Sequence, residues 1–121
     1  MAEDLISKNG YTWGKLKSLS ESRSDQNSFH IFSEAYMRGQ IFNLKEGQHL
    51  SPASFDGNLL ITGLKGIGHL MVEGDTFVIE ELDQILINPK VPFSLFAKTK
   101  ASFQFVWSPT FAKIIHESRD L

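Results

Sequence analysis

Short apolar runs, each cut off by glycine, asparagine, aspartate or proline, recur along this chain. Leu59-Leu60-Ile61-Thr62 lies between Asp56-Gly57-Asn58 and Gly63. Leu70-Met71-Val72 lies between Gly68 and Glu73-Gly74-Asp75. Thr76–Ile79, Gln84–Ile87 and Phe93–Phe96 follow, and Ser102–Trp107 places Phe103, Phe105 and Trp107 on one face. Upstream, Tyr11-Thr12-Trp13 and Phe29–Phe32 have strand character. Tyr36–Leu44 alternates, with Tyr36, Arg38, Gln40, Phe42 and Leu44 on one face and Met37, Gly39, Ile41 and Asn43 on the other. Runs of this length at a spacing of about 8–12 residues predict strands joined by hairpins, in a sandwich or barrel.

Between the strands the reading is of turns and loops. Residues 18–28 are polar and serine-rich and predict a loop. Asn88-Pro89-Lys90-Val91-Pro92 is irregular, because its two prolines cannot donate to a ladder. After Ser108-Pro109, Thr110 is placed to cap a short helix over Phe111–Glu117, with Phe111, Ile114 and Ile115 on one side. The predicted organisation is one domain: residues 1–35 as N-terminal strands and a polar loop packing on the barrel, 36–107 as the barrel core, and 108–121 as the C-terminal helix.

Composition narrows this. The 121 residues can bury roughly two-thirds of their unfolded surface, enough for one core. Hydrophobic residues make up 41% and charged residues 21%, and ten phenylalanines suit a core filled by rings. A formal net charge of −2 gives no basic excess to attract nucleic acid or an anionic membrane. There is no cysteine, so neither a disulfide nor a thiolate metal site is available. The acidic N-terminus carries no secretory pattern, and no apolar stretch nears the roughly 20 residues of a membrane helix. The expected setting is the cytoplasm.

From Gly47 to Gly66 the spacing resembles the first sequence motif of the cupin superfamily: Gly, five residues, His-x-His, three or four residues, Glu, six residues, Gly. Residues 82–97 resemble the second, Gly, five residues, Pro-x-Gly, two residues, His, three residues, Asn. Leu82, Asn88, Lys90, Phe93 and Ala97 stand at its diagnostic places. The resemblance spans about residues 36–107. It implies an all-β, cupin-type double-stranded β-helix (a jelly-roll barrel), here with a short C-terminal helix, and a homodimer sharing edge strands. In metal-dependent cupins four ligands come from the positions held here by Ala53, Phe55, Leu59 and Phe93. None of these side chains can coordinate a cation, so the expectation is no metal and no cofactor. Metal-dependent oxygenase or isomerase chemistry at that place is disfavoured.

Other chemistry is sparse. His30, His49, His69 and His116 show neither His-x-His nor His-x3-His spacing. Gly63, Gly66 and Gly68 do not match a nucleotide-binding fingerprint and read as a hairpin turn. Ser51, Ser54 and Ser94 lack a nucleophile-elbow context. The carboxylates Glu73, Asp75, Glu80, Glu81 and Asp83 cluster in turns and read as solvated charge.

The leading expectation is a metal-free cupin holding a small, partly apolar molecule inside the barrel. Phe55, Leu59, Ile61, Phe93 and Leu95 would line it, with His49 or His69 as the polar handle. A second is a metal-independent isomerase, epimerase or cyclase using His49 or His69 with Tyr36 as acid and base, as some cupin-like enzymes do. A third is a structural or regulatory homodimer with a filled barrel.

Overall fold

The computed structural model describes residues 4–109 and 114–116. Two five-stranded antiparallel sheets face each other. One has the order β3 (Ser28–Ser33), β4 (Arg38–Leu44), β11 (Ala101–Ser108), β6 (Asn58–Lys65), β9 (Gln84–Ile87). The other runs β12 (Ile114–His116), β5 (His49–Phe55), β10 (Phe93–Ala97), β7 (Gly68–Val72), β8 (Asp75–Ile79). A separate hairpin, β1 (Leu5–Lys8) with β2 (Tyr11–Gly14), and a helix, α1 (Leu16–Ser22), precede the sheets. The result is an all-β jelly-roll barrel.

The alternation read from the sequence decides which side chains enter the barrel. On β11, Phe103, Phe105 and Trp107 point inward and join Leu44, Phe55, Leu59, Ile61, Leu70, Ile79, Ile87, Phe93 and Leu95 in one buried cluster. Ser102 points the other way. On β4, Phe42 packs against that inner cluster, whereas Ile41 belongs to a second, smaller core on the outer face of the first sheet. That outer core holds Leu19, Phe29, Ile31, Ile41 and Leu64, with Leu5, Leu16 and Phe32 packed against it.

The outer core explains a correction. Residues 18–28 were expected to be a loop, yet Leu16–Ser22 is helical. Leu16 and Leu19 lie three apart and both meet the outer core, so tertiary burial outweighs the weak helix propensity of serine. Two of the serines turn back onto the helix: Ser20 Oγ donates to the Lys17 carbonyl at 2.8 Å and Ser22 Oγ to that of Leu19 at 3.4 Å. The segment after the helix is fastened by Asn43. Its Nδ2 donates to the carbonyls of Arg23 (3.0 Å) and Gln26 (2.8 Å), while Oδ1 accepts from Ser102 Oγ at 2.6 Å. Ser102 stands directly opposite Asn43 in the β4–β11 ladder, so the two polar groups that leave the barrel satisfy each other.

Two further expectations are corrected. The glycine turn at Gly66 is not a hairpin, because β6 and β7 belong to different sheets. The chain crosses between the sheets there, with Gly66 at φ +75. A Cβ at Gly66 would collide with the Lys100 carbonyl, and one at Gly68 with the Phe103 ring. The close approach of backbone to the barrel contents is what these positions require. The predicted C-terminal helix is also absent where it can be judged. Ile114–His116 is a strand, with Ile114 opposite Phe55 and His116 opposite Ala53. β-branched residues favour strands over helices, and the backbone of this segment pairs antiparallel with β5. The remaining helix residues, 111–113 and 117, lie outside the described residues.

Replacing Asn43 with alanine should lower stability by about 1–3 kcal/mol, the cost of stranding buried partners. It should also speed amide exchange across residues 23–27. Urea denaturation and hydrogen exchange measure the two effects; an unchanged midpoint would show that the Asn43 contacts do not hold this segment.

Candidate functional site

The four positions that the resemblance implicates converge at one end of the barrel. Phe55 ends β5, Leu59 is near the start of β6, Phe93 opens β10, and the backbone of Ala53 lies opposite Phe93. The side chain of Ala53 is outside what can be described. Trp107 completes the group: it stands opposite Leu59 in the β6–β11 ladder, and its ring centroid is 5.3 Å from that of Phe55. Phe93 approaches Phe105 at 6.5 Å, and Phe105 approaches Phe42 at 4.6 Å. These tilted contacts are the favourable offset geometry of aromatic pairs. Phe55, Leu59 and Phe93 retain at most 3% of their exposure.

The place where the family carries a cation is therefore occupied by hydrocarbon and rings. None of Phe55, Leu59 and Phe93 offers a lone pair, and a metal does not fit this donor set. Among the described residues no group of three His, Asp or Glu is arranged to hold a cation. The buried polar side chains among them are Ser20, Asn43 and Ser102. Asn43 and Ser102 serve the outer face of the first sheet, and Ser20 bonds within its own helix. No described buried side-chain nitrogen or oxygen lacks a partner.

Of the remaining expected lining, Ile61 and Leu95 are fully buried in the same cluster. The histidines are not. Leu70 points inward, so its neighbour His69 points out of the barrel. His49 is exposed and stands opposite Phe96, which in turn stands opposite His69. The two imidazoles thus flank Phe96 on the outer face of the second sheet, with His69 and Phe96 ring centroids 6.3 Å apart. A polar handle inside the barrel from either residue is corrected by this placement. Tyr36 is exposed in the turn before β4 of the other sheet, so the acid–base group of His49 or His69 with Tyr36 is not assembled. His30 is exposed on β3, and the backbone of His116 pairs with Ala53. Trp107 was legible as an inward residue of the last long strand, but nothing in the motif spacing marked it as part of this end of the barrel.

No protein-family model matches the sequence, and no curated protein matches it. Solved structures do. A cupin superfamily protein from Desulfitobacterium hafniense superposes with a TM-score of 0.73 at 16% identity, covering 88% of this chain and 96% of that one. An RmlC-like cupin from Shewanella frigidimarina gives 0.67 at 14% identity, over 69% and 76%. Salicylate 1,2-dioxygenase from Pseudoaminobacter salicylatoxidans, in an adduct with gentisate, gives 0.66 at 18% identity. There the match covers 85% of this chain but 34% of the dioxygenase. At these identities the likeness is one of fold.

Truncating Phe55 to alanine should cost about 3–5 kcal/mol, whereas His49→Ala should change stability by less than about 0.5 kcal/mol. Paired chemical denaturation curves test this contrast; equal costs would contradict the inside–outside assignment.

Proposed function

Because the chain has the cupin fold while the place of the family's cation is held by aromatic and aliphatic side chains, we propose that it is a metal-free, non-catalytic cupin. Its barrel is a packed core, and it acts as a structural or regulatory module through its surfaces. The observation that carries this reading is the ring contact chain Phe55–Trp107 and Phe93–Phe105–Phe42 inside the barrel. Acid–base or Lewis-acid chemistry needs a polar or ionisable group facing a cleft. The buried residues of the inner cluster supply none; the half-buried Gln40 and Arg38, opposite Phe105 and Trp107, are polar groups on the inner face of the first sheet.

A second reading, a small apolar molecule held among the same rings, draws support from the half-buried Leu50, Val72, Ile85 and Val91 around the cluster. These modest side chains leave the ends of the barrel less firmly closed than its middle. The occupant would be apolar and would displace side chains rather than fill a standing polar site.

One experiment separates the two. A dry, filled barrel gives native protein with no small-molecule adduct by native mass spectrometry, and its melting temperature does not respond to benzene or indole. Phe93→Ala opens a cavity and should acquire that response, since an apolar void binds such probes and binding to the native state raises the melting temperature. Wild-type protein that already carries an adduct, or is already stabilised by these probes, would favour the second reading.

A further inference from the structure

Not every inward position of the first sheet is apolar. Side chains alternate along β4, and Phe42 packs against the inner cluster, so Gln40 and Arg38 share its face. Gly39, between them, turns to the outer core: a Cβ there would run into the Phe32 ring. The ladders extend these positions across the sheet. One rung reads Ser33, Arg38, Trp107, Leu59, Ile87, and another reads His30, Gln40, Phe105, Ile61, Ile85. Each begins polar at the β3 edge, meets a ring on β11 and ends aliphatic on β6 and β9. The middle and far side of this face fill the core, while its β3–β4 flank carries a guanidinium, an amide, an imidazole and a hydroxyl.

Arg38 is half-buried, and its donors are only partly used. Nε donates to Ser33 Oγ at 3.1 Å, which ties the side chain to the facing residue of β3. Among the described residues no carboxylate pairs with Arg38, and nothing bonds its two terminal nitrogens. Gln40 is half-buried as well, and among the described residues its amide has no partner. A partly desolvated cation is costly unless a negative group meets it. Held at Nε, the guanidinium still presents the fork of its terminal nitrogens, which matches the two oxygens of a carboxylate. Arg38 is the one fixed charge among the flank residues of these two rungs, which suits a monoanion better than a doubly charged phosphate.

We propose that the β3–β4 flank of the barrel binds a small organic monocarboxylate. Arg38 takes the carboxylate through its two terminal nitrogens, Gln40 bonds a further oxygen of the ligand, and Trp107 walls the site toward the core. The site lies beside the packed cluster and does not depend on whether that cluster is filled.

Glycolate and benzoate are the probes, with acetamide and benzamide as uncharged counterparts and inorganic phosphate as the competing anion. All are compared at matched ionic strength, so that screening is shared. The two acids should raise the melting temperature, and the amides should not. By titration calorimetry, Arg38→Gln should weaken both acids roughly 10- to 150-fold, the span of a hydrogen bond to a charged group. Arg38→Lys keeps the charge but loses the fork, and should bind between the two. Gln40→Leu should weaken glycolate and leave benzoate unchanged. In wild-type protein the guanidinium proton resonances of Arg38 should shift as either acid is added. A melting temperature unmoved by both acids would overturn the proposal. So would amides that match the acids, phosphate that binds more tightly than either, or Arg38→Gln or Gln40→Leu protein that binds both acids as wild type does. Should Arg38→Gln fail to fold, Arg38→Lys and the wild-type resonances decide the matter. Benzene and indole report on the core and these acids on Arg38, so the two readings can fail separately.

Discussion

The barrel is held together by rings meeting across the space between its two sheets. Phe42, Phe103, Phe105 and Trp107 come from one sheet, Phe55 and Phe93 from the other. Burying a side chain of this size stabilises by roughly 1.5–3 kcal/mol relative to exposure, and contacts between rings add to it. The rest of the structure arranges itself around this contact. Gly68 must be glycine because Phe103 lies against it. The inward register of β11 sends Ser102 outward, and that in turn places a hydroxyl where Asn43 needs one. The polar fastening outside the barrel is thus a consequence of the apolar packing inside it.

Much of this was readable from residue order. The short apolar runs, the alternation along residues 36–44 and 102–107 and the proline-broken segment at 88–92 all identify strands and interruptions. The cupin-like spacing places four scattered residues at one end of one barrel. The departures have local causes. Serine-rich residues 16–22 show weak helical preference, and only the outer core formed by Phe29, Ile31, Ile41 and Leu64 makes that helix favourable. A glycine turn between two strands looks the same in sequence whether it closes a hairpin or crosses between sheets. Ile114 and Ile115 fit one face of a helix or one short strand, and the choice lies with the edge of β5. The facing of His69 hung on a single residue of register: Leu70 is inward, so His69 is outward.

A cupin fold whose interior carries rings and aliphatic side chains has an energetic logic. Imidazoles and a carboxylate inside a barrel need a cation or a hydrogen-bond network to offset their desolvation. Remove the cation and they become costly; exchange all of them for Phe, Leu and Ala and the same volume contributes to stability instead. Among the described residues the buried polar side chains are all bonded: Asn43 and Ser102 satisfy each other on the outer face of the first sheet, and Ser20 bonds within its helix. The buried cluster inside the barrel is apolar.

The pairing of β4 with β11, which sets Arg38 opposite Trp107 and Leu44 opposite Ala101, bears on how the protein is made. Neither sheet has its central strand until the last third of the chain exists: β11 joins β4 to β6, and β10 joins β5 to β7. During synthesis β3 can pair with β4 and β7 with β8 as they emerge, but their apolar faces stay uncovered until the central strands arrive. Such distant pairing slows folding, because long loops must close before any contact rewards them. The central strand of each sheet is therefore in place only when residues 93–108 have emerged.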